Sequence, residues 1–524
     1  MKKSFVTTGL LWVTVCSFAQ SSDILVFTNE RTIGKIVATQ EEVKAKEYVF
    51  PEQIYDFYID TTSHSITLQL RKQKNNGKWN NKGKIVFYHI IKEKVIWSKK
   101  ISYQKNTIKQ TGSTIIFTEE GKSYCLNTEN GKNLWEINTY IDIIDPIGHV
   151  GIGYKIEPIK SYSNTITLEW FDLKNGRMMW FKTFNKEYGI NDIFRLKNSV
   201  LMIVADGLQT FNADNGDFWS YTVVTGKKKY GRVAAANVAG IALGLLSGTY
   251  IITTGHDLVR DIVSNVLYPD SSNLYFASKE IISRINADNG AIIWSRPLPE
   301  DLTSKSFLFA KDNFVYMINT GSAFMGYSRI NFGTPFIAAF NKENGDQIFS
   351  YIFNDQKNPI RHYILGEDHI LLVFKDKIVK CSLFTGFPIL EKSINSNEFG
   401  ELIGFAGDRF YIDDASSSMT NLLFSDVSKN HIVTNKEKIL MVDAELNVVG
   451  DFDINQLYRA YAYMKDDLKL VKRVNSDQII VLDAENNKVA ELDITRVPFI
   501  IGNKLYGTRG KSFFEIDITN LFMR

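Results

Sequence analysis

Three stretches of the chain fall on one ruler. NTENGKNLW (127–135), DLKNGRMMW (172–180) and NADNGAIIW (286–294) each place an Asx residue first, Asn-Gly three and four positions later, and Trp four after the glycine. Asn-Gly supplies the positive φ angles of a tight hairpin turn, and a leading Asn or Asp can hydrogen-bond the turn amides. The motif therefore predicts a β-hairpin whose second strand carries a Trp. The residue before each Asx is apolar (Leu126, Phe171, Ile285), so the first strand is expected to point into a core.

Weaker copies keep the ruler: NADNGDFWS (212–220), NKENGDQIF (341–349), SLFTGFPIL (382–390), DAELNVVGD (443–451) and DAENNKVAE (483–491). HIIKEKVIW (89–97) fits without the glycine. The turn centres, from Glu93 through Gly131, Gly176, Gly216, Gly290, Gly345 and Gly386 to Asn447 and Asn487, are separated by 38, 45, 40, 74, 55, 41, 61 and 40 residues. A base period of about 40 is that of a four-stranded propeller blade. The 74-residue gap holds an insertion, taken as 225–265, and the 55- and 61-residue gaps imply longer loops around Phe324–Thr334 and Asp413–Asn421.

This pattern resembles the PQQ-like (quinoprotein-type) β-propeller repeat, from about Lys84 to Ile518. The resemblance implies an all-β fold: a single closed β-propeller of four-stranded blades, about eight of them, spanning 20–524, with one small-residue helical insertion. Gly131, Trp135, Gly176, Trp180, Gly216, Gly290, Trp294 and Gly345 are its structural repeat positions. Ser512 to Ile518 lacks a hairpin partner, and Asp23–Ile36 is expected beside it to close the ring, since closure removes exposed strand edges.

Some members of that family are quinone-dependent dehydrogenases with an adjacent Cys-Cys pair and acidic calcium ligands. Here Cys125 and Cys381 are far apart at hairpin-strand positions, and Trp97, Trp135, Trp180 and Trp294 occupy repeat positions. No cofactor is therefore expected. Seven scattered His residues give no zinc spacing, with His362 and His369 reading as strand-turn-strand. NADNGD (212–217) reads as a repeat turn, not a calcium loop. No P-loop, G-x-S-x-G or H-E-x-x-H motif occurs. The balance of 61 basic and 58 acidic residues, net +3, predicts no nucleic-acid partner.

MKKSFVTTGLLWVTVCSFAQ reads as a signal peptide over 1–19, with two lysines, a short apolar run and Ser17-Phe18-Ala19 as a small-x-small cleavage site. The chain is expected to be exported and periplasmic, envelope-associated or secreted. Val15 before Cys16 argues against a lipoprotein. The basic stretch RKQKNNGKWNNKGK (71–84) reads as a solvated loop tip between strands 66–70 and 85–88.

Within the insertion, Val233 to Gly255 is uncharged, and Gly240, Gly244 and Gly248 recur every four residues. On a helix these form one small face open to close packing. Packing on the propeller, membrane-surface contact or insertion through 233–255, and binding of a partner, another envelope protein or a second copy, are the open readings. GHDLVRDIVSN (255–265) follows. Were it helical, His256 and Arg260 would share a face, as would Asp257 and Asp261, giving a candidate ligand or partner surface. The leading functional expectation is a non-catalytic binding or assembly scaffold of the bacterial cell envelope, similar in repeat type to the propeller scaffold of outer-membrane protein assembly. The alternative is a propeller enzyme or carbohydrate-binding protein, with its site in the central channel or beside 225–265.

Overall fold

The computed structural model describes residues 24–519 except 61, 104–105, 146–148, 156–164, 198–199, 213–214, 229–258, 300, 326–327, 407–420, 424–429, 437, 454–457, 466–467, 474–477, 484–486 and 496–498. Its strands follow one another as antiparallel meanders. Gln53–Asp60, Ser65–Gln73, Trp79–His89 and Lys94–Ser102 form one four-stranded sheet, and Asn106–Thr111, Thr114–Glu119, Lys122–Leu126 and Asn133–Ile137 form the next. In all, ten such units succeed one another along the chain among the described residues, one of them three-stranded and two fused into a ten-stranded sheet. This all-β succession is the arrangement of β-propeller blades.

Strand composition follows position in the unit. Second strands are covered on both faces and read as apolar runs, as in VLMIVA (Val200–Ala205), of which five residues are buried. Outer strands alternate, as in MMWFKTFN (Met178–Asn185), because one face meets solvent. The apolar residue before each Asx is buried in every hairpin, from Leu126 and Phe171 to Val442 and Leu482.

Units pack face to face through shared cores. Phe87 and Trp97 meet Phe117 and Leu126, Trp170 and Phe184 meet Ile203 and Phe211, and Tyr316 and Ile337 meet Leu372 and Val379. Tyr506 and Phe513, from the last unit, share a core with Tyr48, Phe50, Phe57 and Leu68 near the start. The strand beside Ser512–Asp517 is Glu42–Val49, in the register Ala45↔Ile516 to Val49↔Ser512. The sequence expectation of Asp23–Ile36 there is corrected by one strand. Phe27–Ile36 lies further out, paired to Glu42–Val49 on one side and to Lys488–Leu492 on the other. Both segments read as strands, but only Glu42–Val49 alternates buried and exposed residues along most of its length, as a strand packed on one face does.

The basic stretch 71–84 is also corrected. Ser65–Gln73 and Trp79–His89 run through most of it. Arg71 is buried, its guanidinium 4.3 Å from the Tyr55 ring and 4.2 Å from that of Tyr103, with Nε donating to the Asn80 carbonyl at 2.8 Å. Cation–π contact lets a long basic side chain serve as core.

Candidate functional site

The repeat glycines sit at equivalent turns. Gly131, Gly176, Gly216, Gly290 and Gly345 have φ of 69, 73, 75, 72 and 75°, and each amide donates to the carbonyl of its Asx residue. Each also lies under an aromatic ring of the preceding hairpin. A Cβ at Gly131 would come within 2.8 Å of Trp97, one at Gly176 within 2.7 Å of Trp135, and one at Gly345 within 2.6 Å of Trp294. The indole Nε1 then donates to the residue after the Asx: Trp97 to the Thr128 carbonyl, Trp135 to Leu173, Trp219 to Ala287 and Trp294 to Lys342. For Trp180, which covers Gly216, the equivalent carbonyl belongs to Ala213, outside the described residues. These residues hold neighbouring units together.

Cys125 and Cys381 are buried, unbonded and in different units. Burial pushes their thiols up to about 11 and about 12. Among the described residues, no three His, Cys, Asp or Glu side chains come together as a metal site would require.

The two longest described departures from the repeat meet each other. Gly226–Lys228, Val259–Asp261, Ser322–Met325 and Ser328–Asn331 form a separate four-stranded sheet in that order. The first pair brackets residues 229–258, and the second lies in the loop between Phe314–Asn319 and Phe336–Asn341. In a four-stranded meander, the connections between units and the loops between second and third strands emerge at the same end. The extra sheet therefore stands on the face opposite the Asn-Gly turns.

Polar side chains fix this sheet to the body. Asn319, fully buried, accepts at Oδ1 from Ser304 N (2.6 Å) and from the Ser304 and Ser306 hydroxyls, and donates from Nδ2 to the Leu302 and Thr334 carbonyls. Arg329 donates to Ser322 Oγ and to the Ile360 carbonyl. Lys305 pairs with Asp261 and lies 5.8 Å from the Phe324 ring. Asp192, at the start of the first strand of its unit, also feels Lys305. Burial and the Asp261 charge raise its carboxyl above the ordinary range, while the Ile193 amide and Lys305 pull the other way.

Of the sequence candidates, His256 and Asp257 lie outside the described residues, as do Gly240, Gly244, Gly248 and the whole of 233–255. The helical reading of 255–265 is corrected for its described part. Val259–Asp261 is a strand, paired with Gly226–Lys228 on one side and Ser322–Met325 on the other. Asp261 is engaged by Lys305. Asn319, Lys305, Asp192 and Arg329 were missed. The only sequence signal was the pair of long gaps, which does not say that the two excursions pair. Two clefts lie elsewhere: about 400 Å³ around His149, Asp172 and Arg177, and about 240 Å³ between Leu365, His369, Lys380 and Asp443.

Fold and face define an all-β repeat protein of propeller-type units with one built-up face. No protein-family model matches the chain, and no curated protein matches it. Among solved structures it is similar to BamB from Moraxella catarrhalis (12% identity, TM-score 0.31, covering 74% of this chain and 96% of that one). It is similar also to a eukaryotic initiation factor (10%, 0.33, 70% and 88%) and to Hsv2 of Kluyvelomyces marxianus (8%, 0.28, 77% and 99%). At these identities and TM-scores the likenesses support no functional statement.

Proposed function

We propose that the chain is a closed β-propeller acting as a non-catalytic, exported binding or assembly scaffold of the bacterial cell envelope. Closure is supported by the pairing of Glu42–Val49 with Ser512–Asp517 and by the core that joins the last unit to the first. The succession of ten units supports a ring larger than eight blades. Export rests on the pattern of residues 1–19, and the partner is taken to be another envelope protein.

One observation carries the scaffold reading. Two excursions from different units are knitted into one sheet, and that sheet holds Lys228 and Val259 as a pair. The built-up face is thus braced around Lys228 and Val259, which suits a contact surface for a partner. The test replaces 229–258 by a short Gly-Ser linker and compares both proteins as bait with detergent-solubilised envelope proteins, followed by reconstitution with the purified partner. Loss of binding with an unchanged unfolding transition supports the reading. Equal binding overturns it.

The rival enzyme or carbohydrate-binding reading draws on Asp192 and Asp261, two acids from separate elements acting on one lysine. Lys305 holds Asp261 in an ion pair, which favours a brace over an acid-base pair.

A further inference from the structure

We infer that the outer edge of strand Pro388–Ser393 is a strand-addition site for an extended segment of a partner polypeptide with large apolar side chains at alternate positions. Strand addition to outer edges is already present in this fold. Lys488–Leu492, the outer strand of its unit, takes Phe27–Ile36 as an added antiparallel strand through Gly34↔Leu492, Lys35↔Glu491 and Ile36↔Ala490. A fifth strand therefore fits the outside of these units. Pro388–Ser393 is the equivalent strand of the sheet beginning at His362–Leu365, and it is an edge among the described residues. Pro388 sits at the bulge opposite Cys381, which leaves 389–393 to present amides and carbonyls outward.

The hairpin leading into this strand departs from its sisters in one direction. At the third motif position, where Glu129, Lys174, Asp288, Glu343 and Glu445 stand, it has Phe384. After the turn glycine, where Lys132, Arg177, Asp217 and Asp346 stand, it has Phe387. Phe384 is 74% exposed, Phe387 61% and Ile389 59%, and Ile348 of the preceding hairpin is 47% exposed. Proteins guard open edges with charge, and here the charge is removed from the turn. The charges left on the strand are engaged: Glu391 by Lys377, and Lys392 by Asn447. An open edge beside apolar side chains matches an extended strand, whose backbone supplies hydrogen bonds while alternate side chains meet Phe384, Phe387 and Ile389.

The site lies at the Asn-Gly end of the units, away from the built-up face, so its failure leaves the outcome of the 229–258 replacement untouched. The variant Phe384→Glu/Phe387→Asp installs residues carried by the sister hairpin at Glu343 and Asp346, and is expected to fold. The probe is a capped peptide of about eight residues, a typical strand length, alternating Ile and Thr between terminal lysines. A second peptide is N-methylated at alternate amides. Wild type is expected to bind the first peptide, with slowed amide exchange at 389–393. N-methylation and the double variant are each expected to weaken binding about tenfold or more, as loss of a central contact does. Failure of the first peptide to bind, equal binding of the N-methylated peptide, or equal binding by the variant overturns the inference. So does self-association or vesicle binding that the variant abolishes while the peptide has no effect, since a second copy or a lipid surface is then the occupant.

Discussion

Ser512 Oγ donates a 2.6 Å hydrogen bond to Glu47 Oε1, joining residues 465 positions apart, and Arg31 Nη1 donates to the same oxygen at 2.9 Å. Glu47 is buried on Glu42–Val49, the strand that pairs with Ser512–Asp517. Burial alone raises its carboxyl, but the hydrogen bonds from Ser512 and Arg31 and the Arg31 charge outweigh it and hold it below the ordinary 4.5.

The seam is therefore expected to loosen in acid. A folded-state carboxyl below its unfolded value means that the unfolded chain takes up the proton first. The stabilisation is present above pH 4.5 and is lost as pH falls through the lower folded value. Hydrogen exchange at Glu42–Val49 and Ser512–Asp517 is expected to rise in that acid window before it rises in the central strands. Glu47→Gln should remove this pH dependence and cost about 1–3 kcal/mol at neutral pH, the range for a buried hydrogen-bonded charge. Uniform acid loosening of all units would contradict it.

Trp294 and Gly345 form one contact seen from two sides. Trp294→Ala removes a buried ring and its hydrogen bond to Lys342, with an expected cost of about 3–5 kcal/mol. Gly345→Ala leaves the ring but puts a Cβ within 2.6 Å of it, at a φ of 75° that L residues rarely adopt. Urea unfolding should show both variants destabilised and the double variant less than additive, because the clash needs the ring. Full additivity would separate the two residues.

Lys305 is expected to brace the built-up face. Lys305→Met keeps the apolar stem near Phe324 but removes the partner of Asp261. Amide exchange at 226–228 and 259–261 should speed up about five- to thirtyfold, equivalent to about 1–2 kcal/mol. The repeat hairpins should be unaffected. Unchanged exchange at the extra sheet would mean that Asn319 and Arg329 hold it without the ion pair.

The repeat was legible because hairpin turns are local, and Asn-Gly with a trailing aromatic states both the turn and what covers it. The hairpin 212–220 shows how far the ruler bends. Its Trp219 stands three residues after the glycine instead of four, yet it pairs opposite Thr210 as Trp294 does opposite Arg284. The other hairpin carries a bulge next to that pair and this one does not, so the missing residue is absorbed. In DAELNVVGD the left-handed residue is Leu446, at φ 61°, one position before the assigned turn centre.

Non-local facts were not legible. Nothing in Phe27–Ile36 or Glu42–Val49 says which of them meets Ser512–Asp517. Nothing in RKQKNNGKWNNKGK says that Arg71 is enclosed by Tyr55 and Tyr103. The candidate face shows the same limit: Asp261 was singled out, but its partner Lys305 is 44 residues on, in an unremarkable connection.

Cys125 and Cys381 give a reporter for how their own units open. Cys125 pairs across the hairpin with Trp135, and Cys381 lies in the core shared by Tyr316 and Val379. Burial pushes the first thiol to about 11 and the second, helped by the Glu391 charge, to about 12. The thiolate is the reactive form, so at pH 8 the native protein holds almost none, and neither sulfur is open to reagent. A disulfide-exchange reagent such as DTNB is expected to modify neither residue until the surrounding unit opens. In graded urea, the labelling rate of each cysteine then measures the opening of its own unit. Single Cys→Ser variants assign the two phases. Coincident rates mean that the units open as one body, and separate rates rank them. Rapid stoichiometric labelling of the native protein at pH 8 would refute the burial of both residues.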